Sequence, residues 1–192
     1  WQLEFDSGVI MNLDKSEHVK EAAQVISQYA DILAVRAFPS LKDKEKDLSE
    51  WIITSFVNYA TVPIVNMESA TGHPLQALAD AITIEELKTK SKPKVVLSWA
   101  PHPKALPHAV ANSFIEIMQT IDVDFTITHP EGYELHPDIV KDTSVVYDQE
   151  AALKDADFVY VKNWSNYKDY GKITSEDSSW MMTQKKLKTA KF

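Results

Sequence analysis

The stretch Met67-Glu68-Ser69-Ala70-Thr71-Gly72-His73-Pro74-Leu75-Gln76 leaves an apolar run and enters a helical pattern with a proline in its first turn. That spacing places His73 and Gln76 at a helix N-terminus, where unpaired backbone N–H groups and the positive dipole end favour an anion or a polarised carbonyl oxygen. His73 can donate to an oxygen and Gln76 can accept from an amide nitrogen, so the pair suits a planar group such as a carbamoyl. The same residues also fit a capped helix with two solvated polar side chains. The residues alone leave both readings open.

Three further positions repeat the pattern of a polar group just beyond an apolar run. Ser98-Trp99-Ala100-Pro101-His102-Pro103-Lys104-Ala105-Leu106-Pro107 is a strand-to-helix turn stiffened by three prolines, with His102 and Lys104 on it. Val159-Tyr160-Val161-Lys162-Asn163-Trp164 ends a strand on a lysine that could meet a carboxylate or simply be solvated. Arg36 ends the run Ile32 to Val35, where its planar fork could hold phosphate or carbonyl oxygens.

Other chemistries find no support. The four glycines, Gly8, Gly72, Gly132 and Gly171, are too dispersed for a dinucleotide or Walker loop. No H-x-x-x-H or H-E-x-x-H links the six histidines, so no metal site is expected. G-x-S-x-G is absent, and there is no cysteine to serve as nucleophile, zinc ligand or disulfide partner. The excess of 28 acidic over 20 basic residues argues against a nucleic-acid binder. The basic stretches Lys88 to Lys94 and Lys185 to Lys191 read as solvated helix ends. No apolar run reaches the roughly 18 residues of a membrane span, and the expected location is cytoplasmic.

The elements that must position these side chains alternate. Apolar, β-branched runs at Ile32 to Val35, Val62 to Val65, Val95 to Trp99, Asp124 to Thr128, Ser144 to Tyr147 and Phe158 to Val161 read as strands buried on both faces. Between them come helices. One has Val19, Ala22, Ala23 and Ile26 on a face after a Ser16 N-cap, and another aligns Leu75, Leu78, Ala79 and Ile82. A third repeats Val110, Phe114, Ile117 and Met118 after Pro107, placed in its first turn. The class is α/β, with two doubly wound parallel-sheet domains and the site expected in the cleft between them. The charged, proline-bearing stretch Lys88 to Pro93 sets the expected boundary, giving domains 1–90 and 91–192.

With Val35-Arg36-Ala37-Phe38, His73-Pro74-Leu75-Gln76, Trp99-Ala100-Pro101-His102-Pro103 and Thr128-His129-Pro130-Glu131-Gly132-Tyr133 in this order, the chain resembles the N-acylornithine branch of the aspartate/ornithine carbamoyltransferase family. Lys162-Asn163-Trp164 stands where the ordinary ornithine enzymes carry Ser-Met-Gly. The resemblance implies carbamoyl transfer from carbamoyl phosphate to the δ-amine of an N-acylornithine, N-succinyl-L-ornithine ahead of N-acetyl-L-ornithine, in arginine biosynthesis, with no cofactor. It implies that Arg36, His73 and Gln76 hold carbamoyl phosphate, with Arg36 and His73 catalytic on the carbonyl oxygen. Trp1, Glu68, His102 and Lys162 would bind the acylornithine, and Ser16, where the acetyl enzymes favour an acidic residue, would set the acyl preference. Trp1 would reach the neighbouring subunit's site in a homotrimer. The family's S-x-R-T-R and H-C-L-P segments are not in the chain, which begins on Trp1 rather than Met, so it is expected to be part of a longer polypeptide. The alternative of another class is a non-catalytic α/β module that binds a small anion.

Overall fold

The computed structural model describes residues 3–6 and 17–190. Two compact units form, one ending at Ala70 and the other beginning at Thr71.

The first unit contains two parallel pairs of strands, β1 (Leu3–Glu4) with β2 (Glu17–His18) and β3 (Leu33–Arg36) with β4 (Ile64–Glu68). Around them lie α1 (Val19–Ile26), α2 (Lys44–Leu48) and α3 (Trp51–Tyr59). The face of α1 that holds Val19, Ala22 and Ala23 is buried, as its spacing requires. His18 caps this helix, its side chain accepting from the Lys20 N–H. The expected cap, Ser16, lies outside the described residues, as does Trp1.

The second unit is a four-stranded, wholly parallel sheet in the order β7 (Ser144–Val146), β6 (Asp124–Thr128), β5 (Lys94–Trp99), β8 (Phe158–Lys162). Its helices are α4 (Pro74–Leu87), α5 (Ala109–Met118), α6 (Pro137–Val140), α7 (Gln149–Leu153) and α8 (Gln184–Leu187), with a 3-10 turn at Ser178–Trp180. Alternation along β5 divides the core. Val95, Leu97 and Trp99 pack with Phe114, Ile115 and Met118 of α5, while Val96 packs with Ala152 and Leu153 of α7. A strand covered on both sides must be largely apolar on both, and the one buried polar side chain of its interior, Ser98, accepts from Gln149 Nε2 at 2.8 Å.

Two expectations are corrected. In α4 the aligned Leu75, Leu78 and Ile82 are exposed, and the buried residues are Ala77 and Ile84 on another face. The helix is apolar nearly all round, so its pattern does not choose the face; packing against α5 does. That packing also brings α4 into the second compact unit, which begins at Thr71. Pro107 precedes the N-cap of α5, His108, and is not in the first turn.

The strand order reverses beside β5: the chain proceeds outward to β6 and β7, then returns to β8 on the other side. The loops that follow β5 and β8 therefore emerge side by side at the carboxyl end of the sheet, where open α/β sheets bind ligands.

Candidate active site

In the first unit a register irregularity between Val35 and Arg36 places Arg36 opposite Glu68 rather than Met67. The guanidinium then reaches Glu68 Oε2 through Nε at 2.8 Å and NH2 at 2.7 Å. Its plane also lies over the Phe38 ring, 4.7 Å from the centroid. Arg36 is 55% exposed and Glu68 10%, so the carboxylate is the buried anchor and the fork keeps an open side. Glu50, in a left-handed conformation at the head of α3, accepts from Ser69 Oγ at 2.7 Å and Ala70 N at 3.3 Å. Glu68 therefore sits on a strand end braced on both flanks.

In the second unit, His73 caps α4 with Pro74 in the first turn, as the sequence requires. Two polar residues of α5 hold this entry: Asn112 Nδ2 donates to Thr71 O at 3.0 Å, and His73 N donates to Ser113 Oγ at 2.8 Å. Gln76 lies one turn along and donates through Nε2 to Asp80 Oδ1 at 2.9 Å. Tyr160 of β8 comes close to the same carboxylate. Burial pushes the Asp80 carboxyl up from its ordinary value, against the pull of the Gln76 hydrogen bond and of the nearby Tyr160 and His73 side chains. Burial and the Asp80 charge raise the Tyr160 phenol to about 12.

The loops after β5 and β8 are bound to each other. Ala100 N donates to Lys162 O, Asn163 Nδ2 to Ala100 O at 2.7 Å, and Ser165 N to Leu106 O. Below them two buried indoles act in series, Trp99 Nε1 donating to Trp164 O at 3.0 Å and Trp164 Nε1 to Tyr133 O at 2.9 Å. The Tyr133 hydroxyl accepts from Thr174 N, Thr174 Oγ1 and Ser175 N, fastening the following loop. His129 is buried against Trp164 and Tyr147, and burial holds its ring below the usual histidine range.

Of the expected site residues, His102 lies on the loop after β5 and Lys162 ends β8, segments joined by the Ala100 N–H to Lys162 O bond. His102 Nδ1 engages the backbone of Lys104, and with Lys104, Asn163 and Lys172 it lines a small recess. Lys162 is half-buried and has no carboxylate partner among the described residues. His73 and Gln76 come together on α4, and Arg36 and Glu68 on the β3–β4 pair. Asn112, Ser113, Asp80 and Tyr160 were not singled out from the sequence. The signal for the first two was a polar pair on the Ala109–Met118 helix, whose other residues are apolar but for Glu116.

Among the described residues no cluster of three metal-ligating side chains occurs, and no helix is long and apolar enough to cross a membrane. In the Lys88 to Lys94 stretch, Lys88, Lys90 and Lys92 pair with Glu85, Asp157 and Asp122, as a solvated surface would.

Comparison with known proteins gives a consistent set of relatives. Residues 2–86 match the family described as aspartate/ornithine carbamoyltransferase, carbamoyl-P binding domain. Over 189 residues the chain is 50% identical to an N-succinylornithine carbamoyltransferase of Bacteroides thetaiotaomicron, covering 97% of this chain and 59% of that protein. It is 36% identical over 194 residues to an N-acetylornithine carbamoyltransferase of Xanthomonas campestris, covering 89% and 55%. Among solved structures, acetylornithine transcarbamylase complexed with acetylcitrulline superposes with a TM-score of 0.87 at 33% identity, covering 99% of this chain and 63% of that one. A variant of N-acetyl-L-ornithine transcarbamylase complexed with carbamyl phosphate and N-succinyl-L-norvaline superposes with a TM-score of 0.88. The chain thus spans about three fifths of the length of the relatives it matches.

Proposed function

From the premise that the chain is homologous to the aspartate/ornithine carbamoyltransferases, we propose that the protein carrying it transfers the carbamoyl group of carbamoyl phosphate to the δ-amine of N-succinyl-L-ornithine, giving N-succinyl-L-citrulline and phosphate. The observation that carries the reading is His73-Pro74-Leu75-Gln76 at the N-terminus of α4, within the span that matches a carbamoyl-phosphate-binding domain. Residues 1–90 are read as part of that domain and residues 91–192 as part of the acylornithine-binding domain. The more distant similarity to acetylornithine enzymes makes N-acetyl-L-ornithine the second substrate to try.

The chemistry assigns each residue a task. A free alkyl amine has a pKa of about 10.4, so the δ-amine must lose a proton before its lone pair attacks the carbamoyl carbon. As that bond forms, charge gathers on the carbonyl oxygen, and phosphate then leaves with the electrons of the C–O bond. His73 and Arg36 are the donors assigned to the developing oxyanion, the interaction that lowers the barrier most in such transfers. Gln76 holds the carbamoyl nitrogen. Glu68 both anchors Arg36 and faces the amine substrate, while Lys162, half-buried with no carboxylate of its own, pairs with a substrate carboxylate and His102 lines its pocket. Ser16 sets the preference for the longer acyl group, and Trp1 completes the neighbouring subunit's site in a cytoplasmic homotrimer.

The test is formation of the ureido product from carbamoyl phosphate and N-succinyl-L-ornithine by the natural protein and by His73→Ala. Loss of one oxyanion donor should cost about 2.7–4 kcal/mol of transition-state stabilisation, or 10²- to 10³-fold in kcat. Turnover of the variant within threefold of the natural protein would remove His73 from the oxyanion role, and no product from either would reject the reaction.

A further inference from the structure

A carboxamide has a donating and an accepting end, and a glutamine that must recognise one particular ligand group needs something to fix which end faces outward. In this fold Asp80 does so. Gln76 Nε2 donates to Asp80 Oδ1 at 2.9 Å, one helical turn along α4. An ionised carboxylate only accepts, so the amide nitrogen is committed to Asp80 and Oε1 is left as the outward, accepting end.

Asp80 is itself held in place. Tyr160 approaches the carboxylate from β8, and its ring stacks on Phe114 of α5 at 4.3 Å between centroids and 19° between planes. The phenol, raised to about 12, remains a donor at any working pH. The same face of α4 carries His73, the other titratable group that acts on Asp80. Asp80 thus lies between Gln76, whose amide it holds at 2.9 Å, and the Tyr160 side chain of β8.

We propose that Asp80 is a positioning residue that, by fixing the Gln76 amide with Oε1 outward, makes this site select a carbamoyl over an acetyl group. A carbamoyl N–H satisfies Oε1, whereas the methyl group of an acetyl phosphate leaves that acceptor unpaired. The inference rests on the reading that His73 and Gln76 hold carbamoyl phosphate.

Calorimetric dissociation constants for carbamoyl phosphate and for acetyl phosphate, measured on the full-length protein, test it. The natural protein should prefer carbamoyl phosphate by roughly 10- to 100-fold, the penalty of an unsatisfied acceptor. In Asp80→Asn the new amide can donate as well as accept, Gln76 can turn over, and the preference should fall to within about threefold of that in Gln76→Leu. Asp80→Glu, which keeps an acceptor of one sign, should restore most of it. The melting temperature of Asp80→Asn should not fall, because a desolvated carboxyl with a raised pKa has been replaced by a neutral isostere. A purely structural role would instead lower the melting temperature and weaken both ligands alike. Asp80→Asn retaining the natural preference while Gln76→Leu loses it would overturn the proposal and leave the carbamoyl phosphate reading intact. A natural protein with no preference, unchanged by Gln76→Leu, would overturn that reading and the proposal with it.

Discussion

Trp164→Phe probes the framework that holds the loops after β5 and β8. Trp164 is fully buried, its indole N–H donates to Tyr133 O at 2.9 Å, and its ring meets the His129 ring edge-on at 6.2 Å. Phenylalanine keeps a ring but has no N–H, which leaves the Tyr133 carbonyl without that donor in a buried setting at a cost of about 1–3 kcal/mol. The smaller ring leaves a gap that adds about 1 kcal/mol, a fraction of what complete removal of a buried tryptophan costs. The total expected is about 2–4 kcal/mol. Urea unfolding of the full-length protein, followed by far-ultraviolet circular dichroism and not by the altered fluorescence, should show the midpoint fall with little change in slope. Because Trp164 O also receives the Trp99 N–H, and Lys162 and Asn163 lie just before it, KM for the amine substrate should rise in the same variant. A loss below 1 kcal/mol with KM unchanged would refute the argument that these indoles set the loops.

Ile84→Ala should cost about 2–5 kcal/mol and Ala77→Leu about 1–3 kcal/mol by overpacking, since these residues make the buried face of α4; unchanged unfolding midpoints in both would reassign that face. His129 is held neutral by burial, so the unfolded chain takes up a proton near pH 6.5 that the folded chain refuses. Stability should therefore fall as the pH drops through 6.5, by at most about 1.4 kcal/mol per pH unit for this group, until the folded ring itself protonates. His129→Gln should flatten that slope in urea titrations at pH 7.5, 6.5 and 5.5. Lys162→Met should raise KM for N-succinyl-L-ornithine about 10- to 100-fold with the KM for carbamoyl phosphate little changed, as loss of one charge-assisted bond requires, and should leave the melting temperature intact.

What could be read in advance was local. Strands β5 to β8 announce themselves as short, largely apolar runs; His102 lies on the loop after β5 and Lys162 ends β8, while His73 follows β4. The two-residue strands Leu3–Glu4 and Glu17–His18 carry no such pattern, because pairing alone makes them strands. The apolar face of α4 could not be chosen from its sequence: Leu75, Leu78 and Ile82 align as well as Ala77 and Ile84 do, and only the presence of α5 decides. The site divides in the same way. Gln76 was visible in its motif, but Asp80, which orients it, lies one turn further along α4, and Tyr160 comes near that carboxylate only in the fold. Asn112 and Ser113 act on Thr71 and His73 across some forty positions of sequence. The pairing of Arg36 with Glu68 depends on a register irregularity that no residue of β3 signals.

The central claim is that this α/β framework serves carbamoyl transfer to an acylated ornithine. The direct measurement is kcat/KM for ureido product formation from carbamoyl phosphate, with N-succinyl-L-ornithine, N-acetyl-L-ornithine and L-ornithine compared side by side on the full-length protein. The account predicts the succinyl substrate first, the acetyl substrate second and free ornithine negligible. Ornithine equal to or better than both acylated amines would contradict it.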